Sequence, residues 1–321
     1  SRRLRTLMDL IKYSQMGIRT VLLTTCNAAL QRVPTSGALE GCHFSLQVSK
    51  KIDIDALTKY LNCNGYHRSG TVMESGEYAV RGGIIDIYSS NSDNPVRIDL
   101  FGDVIESIRI FDPLTQRSSK YCEIVDLIPG SEVLLDEDSV TRFRGRYRKF
   151  FGAVTGEDSL YESVSAYRRC PGIEHWLPLF HESLTTVFEY LPDSIVFLDH
   201  LLEEATDERL NIINDFYETR KEARMGFSGI KAPVYKPLPP KELFLTKSEW
   251  TGHLTSRPIG LFSSFTQPSS ESYSVDLGAR HGRDFLPERK NKDAVLFREV
   301  GKHIISQSSS GRRVIIACHS S

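Results

Sequence analysis

Three segments between residues 77 and 111 constrain the fold most, because each has the length and composition of a β-strand. The predicted strands are Glu77–Tyr88, Val96–Phe101 and Val104–Phe111. The last two are joined by Gly102-Asp103, a pair typical of a tight hairpin turn. These segments predict a small antiparallel sheet, and a helical pattern that begins after the N-cap residue Asp53 predicts a helix packed against it.

The second strand separates its side chains by alternation. One face carries Val96, Ile98 and Leu100, and the other carries Arg97, Asp99 and Phe101. We expect the apolar face to be buried and Phe101 to be exposed. An exposed aromatic residue beside arginine on a rigid strand is typical of a protein-binding hot spot. The same pattern also arises when another strand or loop covers the aromatic ring, so the sequence leaves both interpretations open.

Segments on both sides of the sheet alternate between helix and strand patterns. Before the sheet, residues 4–13 predict a helix and Thr20–Thr25 predict a buried strand. After it, helical patterns cover residues 138–151 and 201–225, with a strand over Ser194–Leu198 between them. This order predicts an α/β domain that is interrupted by an inserted α+β module.

The C-terminal third contains two loose stretches and a second α/β pattern. Residues 226–240 are rich in glycine and proline and predict an extended connection, and residues 263–274 are rich in serine. A helix from Leu286 and a buried strand over Val314–Cys318 follow. We therefore predict an α/β and α+β multidomain chain, divided into residues 1–42, 43–128, 129–284 and 285–321.

Composition excludes several classes of protein. The 321 residues include 40 basic and 41 acidic side chains, so there is no overall positive charge to attract nucleic acid. No apolar run approaches the roughly 20 residues that span a bilayer. The six cysteines form no Cys-x-x-Cys pair, which predicts free thiols in a reducing cytoplasm. Because the chain starts at Ser1 without methionine and ends just after its last predicted strand, we expect it to be part of a longer protein.

The common catalytic motifs are incomplete in this sequence. A phosphate-binding loop requires Gly-x-x-x-x-Gly-Lys-Ser/Thr, and the one Gly-Lys pair, Gly301-Lys302, has Leu296 at the first glycine position. His181-Glu182 begins a zinc-protease pattern in which Thr185 replaces the second histidine. We therefore predict that these residues have no catalytic activity and hold neither a cofactor nor a metal.

A basic and aromatic run over residues 142–151 suggests a second possible binding surface. Its arginines could pair with phosphates while its aromatic rings stack on bases. The aromatic residues also recur at the spacing of one helical face, which favours core packing: Phe143, Tyr147, Phe150 and Phe151.

Long ordered motifs resemble a known family. The segments Glu77–Tyr88, Pro95–Arg109 and Phe111–Ser118 closely resemble the homology module shared by UvrB and the Mfd family of transcription-repair coupling factors. Gly172–Phe180, Phe188–Pro192 and Leu277–Arg280 also resemble the coupling factors. The resemblance covers nearly the whole chain and implies its N-terminal, UvrB-homologous region.

The resemblance implies a fold and partners. It implies a degenerate RecA/helicase-like α/β domain without its ATP-binding loop, an inserted module like the second domain of UvrB that binds UvrA, and the start of a further α/β domain. The UvrA-contacting positions of the family fall on Arg81, Arg97 and Phe101. ATP, magnesium, RNA polymerase and double-stranded DNA are implied only for motor and polymerase-binding regions outside these residues.

Three interpretations remain open. The first is a non-catalytic adaptor that recruits UvrA to stalled RNA polymerase. The second is a piece of a UvrB-type, ATP-dependent damage-recognition protein, and the third is nucleic-acid binding through residues 142–151.

Overall fold

The structure is a computed structural model that describes residues 2–154, 158–226, 235–263, 274–278, 282–290 and 296–316. It forms two compact units, residues 1–262 and 263–321.

The helices of the first unit are α1 (Arg2–Gln15), α2 (Cys26–Ala29), α3 (Ser36–Leu39), α4 (Ile54–Cys63), α5 (Glu137–Phe151), α6 (Ser159–Ser165), α7 (Leu202–Gly226), α8 (Pro240–Leu243) and α9 (Lys247–Thr255). Two 3-10 helices cover Ile173–Leu179 and Val187–Tyr190. Its strands are β1 (Val33–Pro34), β2 (Phe44–Gln47), β3 (His67–Arg68), β4 (Glu77–Arg81), β5 (Ile84–Ile87), β6 (Val96–Phe101), β7 (Val104–Phe111), β8 (Ser118–Cys122), β9 (Ile124–Leu127), β10 (Leu184–Thr185), β11 (Val196–Leu198) and β12 (Ile259–Leu261).

Strands β3 to β8 form one six-stranded sheet in the order β3-β4-β5-β6-β7-β8. The pairs from β4 to β8 are antiparallel. The predicted bounds of β6 and β7 are confirmed, and Gly102 at their turn has a φ of 63° that favours glycine. The single strand predicted over Glu77–Tyr88 is wrong, because Gly82, with a φ of 58°, lets the chain reverse between β4 and β5.

The inner face of this sheet packs on α4. The predicted N-cap is confirmed, because the Asp53 carboxylate accepts a hydrogen bond from the Ala56 amide at 3.0 Å. The antiparallel pair β2–β9 lies beside them. The core of this module consists of Leu46, Ile52, Leu57, Leu61, Tyr66, Tyr78, Ile85, Ile87, Val96, Ile98, Ile105, Ile108 and Leu127.

A second core forms around α5, and the predicted inward face of this helix is confirmed except at Phe150, which is 37% exposed. Phe143 and Tyr147 are buried together with Trp176 and Phe180 from the 3-10 helix region. The Phe143 and Phe180 rings stack with centroids 4.9 Å apart.

The expected α/β character of the remaining segments is confirmed only in part. Strand β11 pairs in parallel with β12, within the predicted strand over Ser194–Leu198. The buried strand predicted over Thr20–Thr25 is wrong: Val21 is 86% and Leu23 is 91% exposed, and these residues belong to no strand. A strand needs a hydrogen-bonded neighbour, and no described segment pairs with this one. The chain is thus a mixed α and β protein with several sheets.

The second unit contains α10 (Leu286–Lys290) and α11 (Leu296–Ser309). The buried strand predicted over Val314–Cys318 is wrong for residues 314–316, which form no strand and expose 81% of Ile315, while residues 317 and 318 lie outside the described part. Most of the predicted connections at 226–240 and 263–274 also lie outside it. Among the described helices, none is both long and apolar enough to cross a membrane.

Candidate protein-binding face

The outer face of the six-stranded sheet collects the polar side chains of its strands. Asp86 of β5 pairs in register with Arg97 of β6, which pairs with Arg109 of β7, which pairs with Tyr121 of β8. Paired residues project to the same side of a sheet, so these side chains form one row across the outer face.

Asp86 organises this row. Its side chain is fully buried, yet it lies between two guanidinium groups. Arg97 donates from Nε to Oδ1 at 2.7 Å and from Nη2 to Oδ2 at 2.9 Å. Arg81 donates to Oδ2 from the other side. A bidentate arginine and a second cation compensate the cost of burying this carboxylate.

Arg97 is held on all sides by the module itself. Besides the Asp86 bonds, its Nη1 donates to the Gln116 carbonyl at 3.2 Å, and its guanidinium lies 4.6 Å from the centre of the Phe111 ring. The hydrogen bond to Asp86 raises the pKa of Arg97. Only 17% of its side chain is exposed. Arg97 therefore lies on the outer face, as the alternation predicts, but the cross-strand carboxylate of Asp86 already binds its guanidinium group.

Arg81 and Phe101 are accessible. Arg81 shares Asp86 but exposes 49% of its side chain. Phe101 is 80% exposed, so no other part of the described chain covers it, and its predicted exposure is confirmed. The turns at Gly82 and Gly102 bring both residues to the same end of the sheet, where the Leu100 amide donates to the Gly83 carbonyl at 2.8 Å.

Two exposed apolar residues on this face were not singled out from the sequence. Ile84, 38% exposed, pairs with Arg81 on one side and with Asp99 on the other, which places it diagonally next to Phe101. Tyr121, 76% exposed, lies on the edge strand β8. The signal for Ile84 was the alternation of β5, whose other isoleucines, Ile85 and Ile87, are in the core.

Charges on the open part of the face are mostly arginine. Asp99 accepts from Arg109 Nη2 at 2.7 Å and from Ser107 Oγ at 2.7 Å, which fixes Arg109 with 31% of its side chain exposed. Three arginines share the two carboxylates of Asp86 and Asp99, so these groups carry one net positive charge, which suits a partner with surface carboxylates.

The opposite end of the outer face is covered. Val72, Ala79 and Phe111 form a small buried cluster there, with Tyr88 packed against it. Gln116 closes this end by donating to the Val72 carbonyl at 3.1 Å. The accessible surface therefore consists of Tyr121 on the edge strand β8 and the end that carries Arg81, Ile84 and Phe101, which we call the open end.

Three of the four arginines in the run over residues 142–151 are directed inward, whereas Arg148, Lys149 and Phe150 are exposed. Arg146 donates to the carbonyls of Pro178, His181 and Glu182, and Arg142 donates to that of Phe180. Arg144 donates to Ser165. These arginines satisfy carbonyl groups of the core around α5, so the structure does not support the nucleic-acid interpretation of this run.

Comparison with known proteins agrees with this architecture. The family model of the UvrB interaction domain matches residues 44–132, which contain the whole six-stranded sheet. The transcription-repair-coupling factor of Rickettsia conorii is 33% identical over 252 residues, or 78% of this chain and 22% of that protein. That of Escherichia coli is 31% identical over 302 residues, covering 92% of this chain and 26% of that protein, and that of Bacillus subtilis is 28% identical over 264 residues, covering 74% and 22%.

The chain therefore spans about a quarter of the length of the curated relatives it matches. Its similarity extends on both sides of residues 44–132. The chain belongs to the transcription-repair-coupling factor family and contains the UvrB interaction domain.

Proposed function

We propose that this chain is a non-catalytic adaptor that binds UvrA through the open end of the outer sheet face. The observation that carries the proposal is the 80% exposure of Phe101 on a rigid hairpin, beside Ile84 and Arg81. A protein-binding site of ordinary composition has an apolar centre with arginine around it. This end of the sheet has that composition.

The three residues inferred from the family differ in role. Phe101 and Ile84 provide the apolar anchor, and Arg81 can pair with a carboxylate of UvrA because half of its side chain is accessible. Arg97 is a positioning residue: it holds Asp86, and Asp86 in turn orients Arg81. Removing the Arg97 side chain should weaken UvrA binding indirectly, by disturbing Asp86 and Arg81 in the sheet. Removing the Phe101 side chain should weaken it directly, by deleting a contact with UvrA.

The family supports a role in transcription-coupled repair. The relatives are named transcription-repair-coupling factors, which favours a coupling adaptor over a piece of a UvrB-type protein. By this proposal the chain recruits UvrA to stalled RNA polymerase in the cytoplasm. The segments around the inserted module form a degenerate ATPase-like domain, while ATP, magnesium, DNA and polymerase are bound by other regions of the longer protein.

Isothermal titration calorimetry of purified UvrA with this chain tests the proposal. Phe101→Ala and Arg81→Ala should each weaken binding at least about tenfold, which corresponds to roughly 1.4 kcal/mol. Leu114→Ala is the matched control, because Leu114 is 81% exposed in the same module but lies after β7, at the covered end. Absence of binding by the folded parent, or equal losses in all three variants, would reject the proposed site.

A further inference from the structure

A cleft of about 320 Å³ lies beside α7, remote in sequence from the UvrB interaction domain. Its walls come from α1, the 3-10 helix Ile173–Leu179, α7 and residues 235–244. The helix α7 contributes Arg209, Ile213, Phe216, Tyr217 and Arg220, which recur at helical spacing on one face.

Arg209 is the first unusual group in this cleft. Its Nε is buried and has no hydrogen-bond partner among the described residues. Arg3, which lines the same cleft, is by contrast bound to Glu132 through Nε at 2.7 Å and Nη2 at 2.6 Å. The two terminal nitrogens of Arg209 are not buried and have no acceptor among the described residues either, so they can donate to an oxygen of a ligand in the cleft.

The second unusual group is Arg220, about 16 Å further along the helix axis at 1.5 Å per residue. Its guanidinium lies 5.1 Å from the centre of the Tyr235 ring and 5.7 Å from that of Phe216. Within the described chain it has no carboxylate partner. This end of the cleft therefore presents flat aromatic and guanidinium surfaces.

Tyr235 is fixed in place. Its hydroxyl is 3.2 Å from His175 Nδ1, and its ring centre is 5.0 Å from that of Trp176. Burial raises the pKa of Tyr235, so the hydroxyl remains protonated and uncharged. A rigid aromatic platform of this kind stacks on a planar ring at little cost in side-chain entropy.

We propose that this cleft binds a nucleoside phosphate, with the phosphate at Arg209 and the base against Tyr235 and Arg220. Guanidinium groups bind phosphate oxygens through two parallel hydrogen bonds, and tyrosine and arginine stack on bases without sequence preference. The volume is at the lower limit of small-molecule sites, which suits one nucleotide. The ligand is either a free nucleotide or one unit of a single strand.

The charge of the lining supports an anion. Glu174 is the one carboxylate among the described residues that line this cleft, and it interacts electrostatically with Arg169. The two positive charges of Arg209 and Arg220 outweigh the single negative charge of Glu174. The site differs from a phosphate-binding loop, because side chains and not backbone amides would hold the phosphate.

Trp176 fluorescence provides the assay, because its ring lies beside Tyr235. The chain is titrated with AMP, adenosine, inorganic phosphate and a short single-stranded oligoadenylate. We expect AMP to bind at least about tenfold more tightly than adenosine, which lacks the phosphate for Arg209, and than inorganic phosphate, which lacks the base for Tyr235. Equal affinities for AMP and oligoadenylate per nucleotide indicate a free nucleotide, and tighter binding of the oligoadenylate indicates a strand.

Arg209→Ala should weaken AMP binding at least about tenfold, and Arg209→Lys should restore part of it. Lys221→Ala is the matched control: it removes the same charge from the same helix, and Lys221 pairs with Glu218 outside the cleft. Circular dichroism checks each fold. If Arg209→Ala does not fold, Arg220→Ala serves in its place with the same expected loss. No saturable AMP binding, or equal binding by the arginine variants and the control, would overturn the proposal whether or not UvrA binds the sheet.

Discussion

Arg97→Ala tests the assignment of Arg97 as a positioning residue. The substitution leaves Asp86, which is fully buried, with Arg81 as its one remaining charged partner. Breaking a buried pair in this way costs about 3 kcal/mol. Arg81→Ala removes a partner that is half exposed, and its bidentate neighbour remains, so its cost should be about 1 kcal/mol. The equilibrium constants for local unfolding of the two variants should therefore differ about thirtyfold.

Native-state hydrogen exchange is the appropriate measurement, because the chain has more than one unit and a single unfolding transition is not expected. Amides of β5 and β6 should lose about a hundredfold in protection in Arg97→Ala and about fivefold in Arg81→Ala. Amides of α5, which belongs to a different core, should not change. Unchanged protection of β5 and β6 in Arg97→Ala, together with a loss of UvrA affinity equal to that of Phe101→Ala, would show Arg97 to be a direct contact and refute the reasoning.

Three further predictions concern stability. Burial lowers the pKa of His181 below its ordinary value of 6.5, so its contribution to stability is complete above about pH 6.5 and is lost as the pH falls through the lowered pKa. The opening free energy of α5 amides, measured by hydrogen exchange, should fall more on acidification in the parent than in His181→Gln, and parallel curves would contradict this. Gly102→Ala should cost about 1 kcal/mol, because φ is 63° although the added methyl group meets open space, and hydrogen exchange of β6 and β7 measures it. Tyr60→Phe should destabilise the module by about 1 kcal/mol, since its single hydroxyl proton is shared between the carbonyls of Cys42 at 2.9 Å and Leu127 at 3.1 Å; unchanged exchange of α4 amides would count against it.

The local structure of the module could be predicted because its signals are local. Alternation placed β6 and β7 correctly, and the Asp53 cap placed the start of α4. The division between β4 and β5 was missed because Ile84–Ile87 continues the apolar composition of β4, and only the positive φ of Gly82 shows that the chain reverses. Side-chain periodicity alone does not report such a reversal.

Long-range pairing explains the larger errors. Alternation correctly assigned Arg97 to the outer face of the sheet. How much of its side chain is exposed depends on the neighbouring strand β5, because the register between β5 and β6 brings Asp86 next to it. The sequence of β6 alone does not contain this register. The same argument applies to Thr20–Thr25. Its β-branched residues favour a strand, but a strand forms only where a neighbouring segment supplies hydrogen bonds. No such neighbour is present in the described part of the chain, and Val21 remains exposed.

The open end is small for the protein-binding site that we propose. Strands β4 to β7 are about 14 Å across at 4.8 Å per spacing, so their open end offers a few hundred Å², whereas a stable interface needs about 800 Å² per partner. The nearest additional surface is the hairpin turn, where Lys51 bonds to Asp103 at 2.8 Å next to Phe101, with 78% of the lysine side chain exposed.

Charge reversal at Lys51 tests this extension of the interface. Because a partner suited to Arg81 and Arg109 is acidic here, Lys51→Glu should weaken UvrA binding at least about threefold and mainly slow association, with a larger effect at low salt. Lys221→Glu, on α7, is the control. If Lys51→Glu binds UvrA like the parent at every salt concentration, the remaining contact area lies on the other side of the open end, towards β8 and the 76% exposed Tyr121.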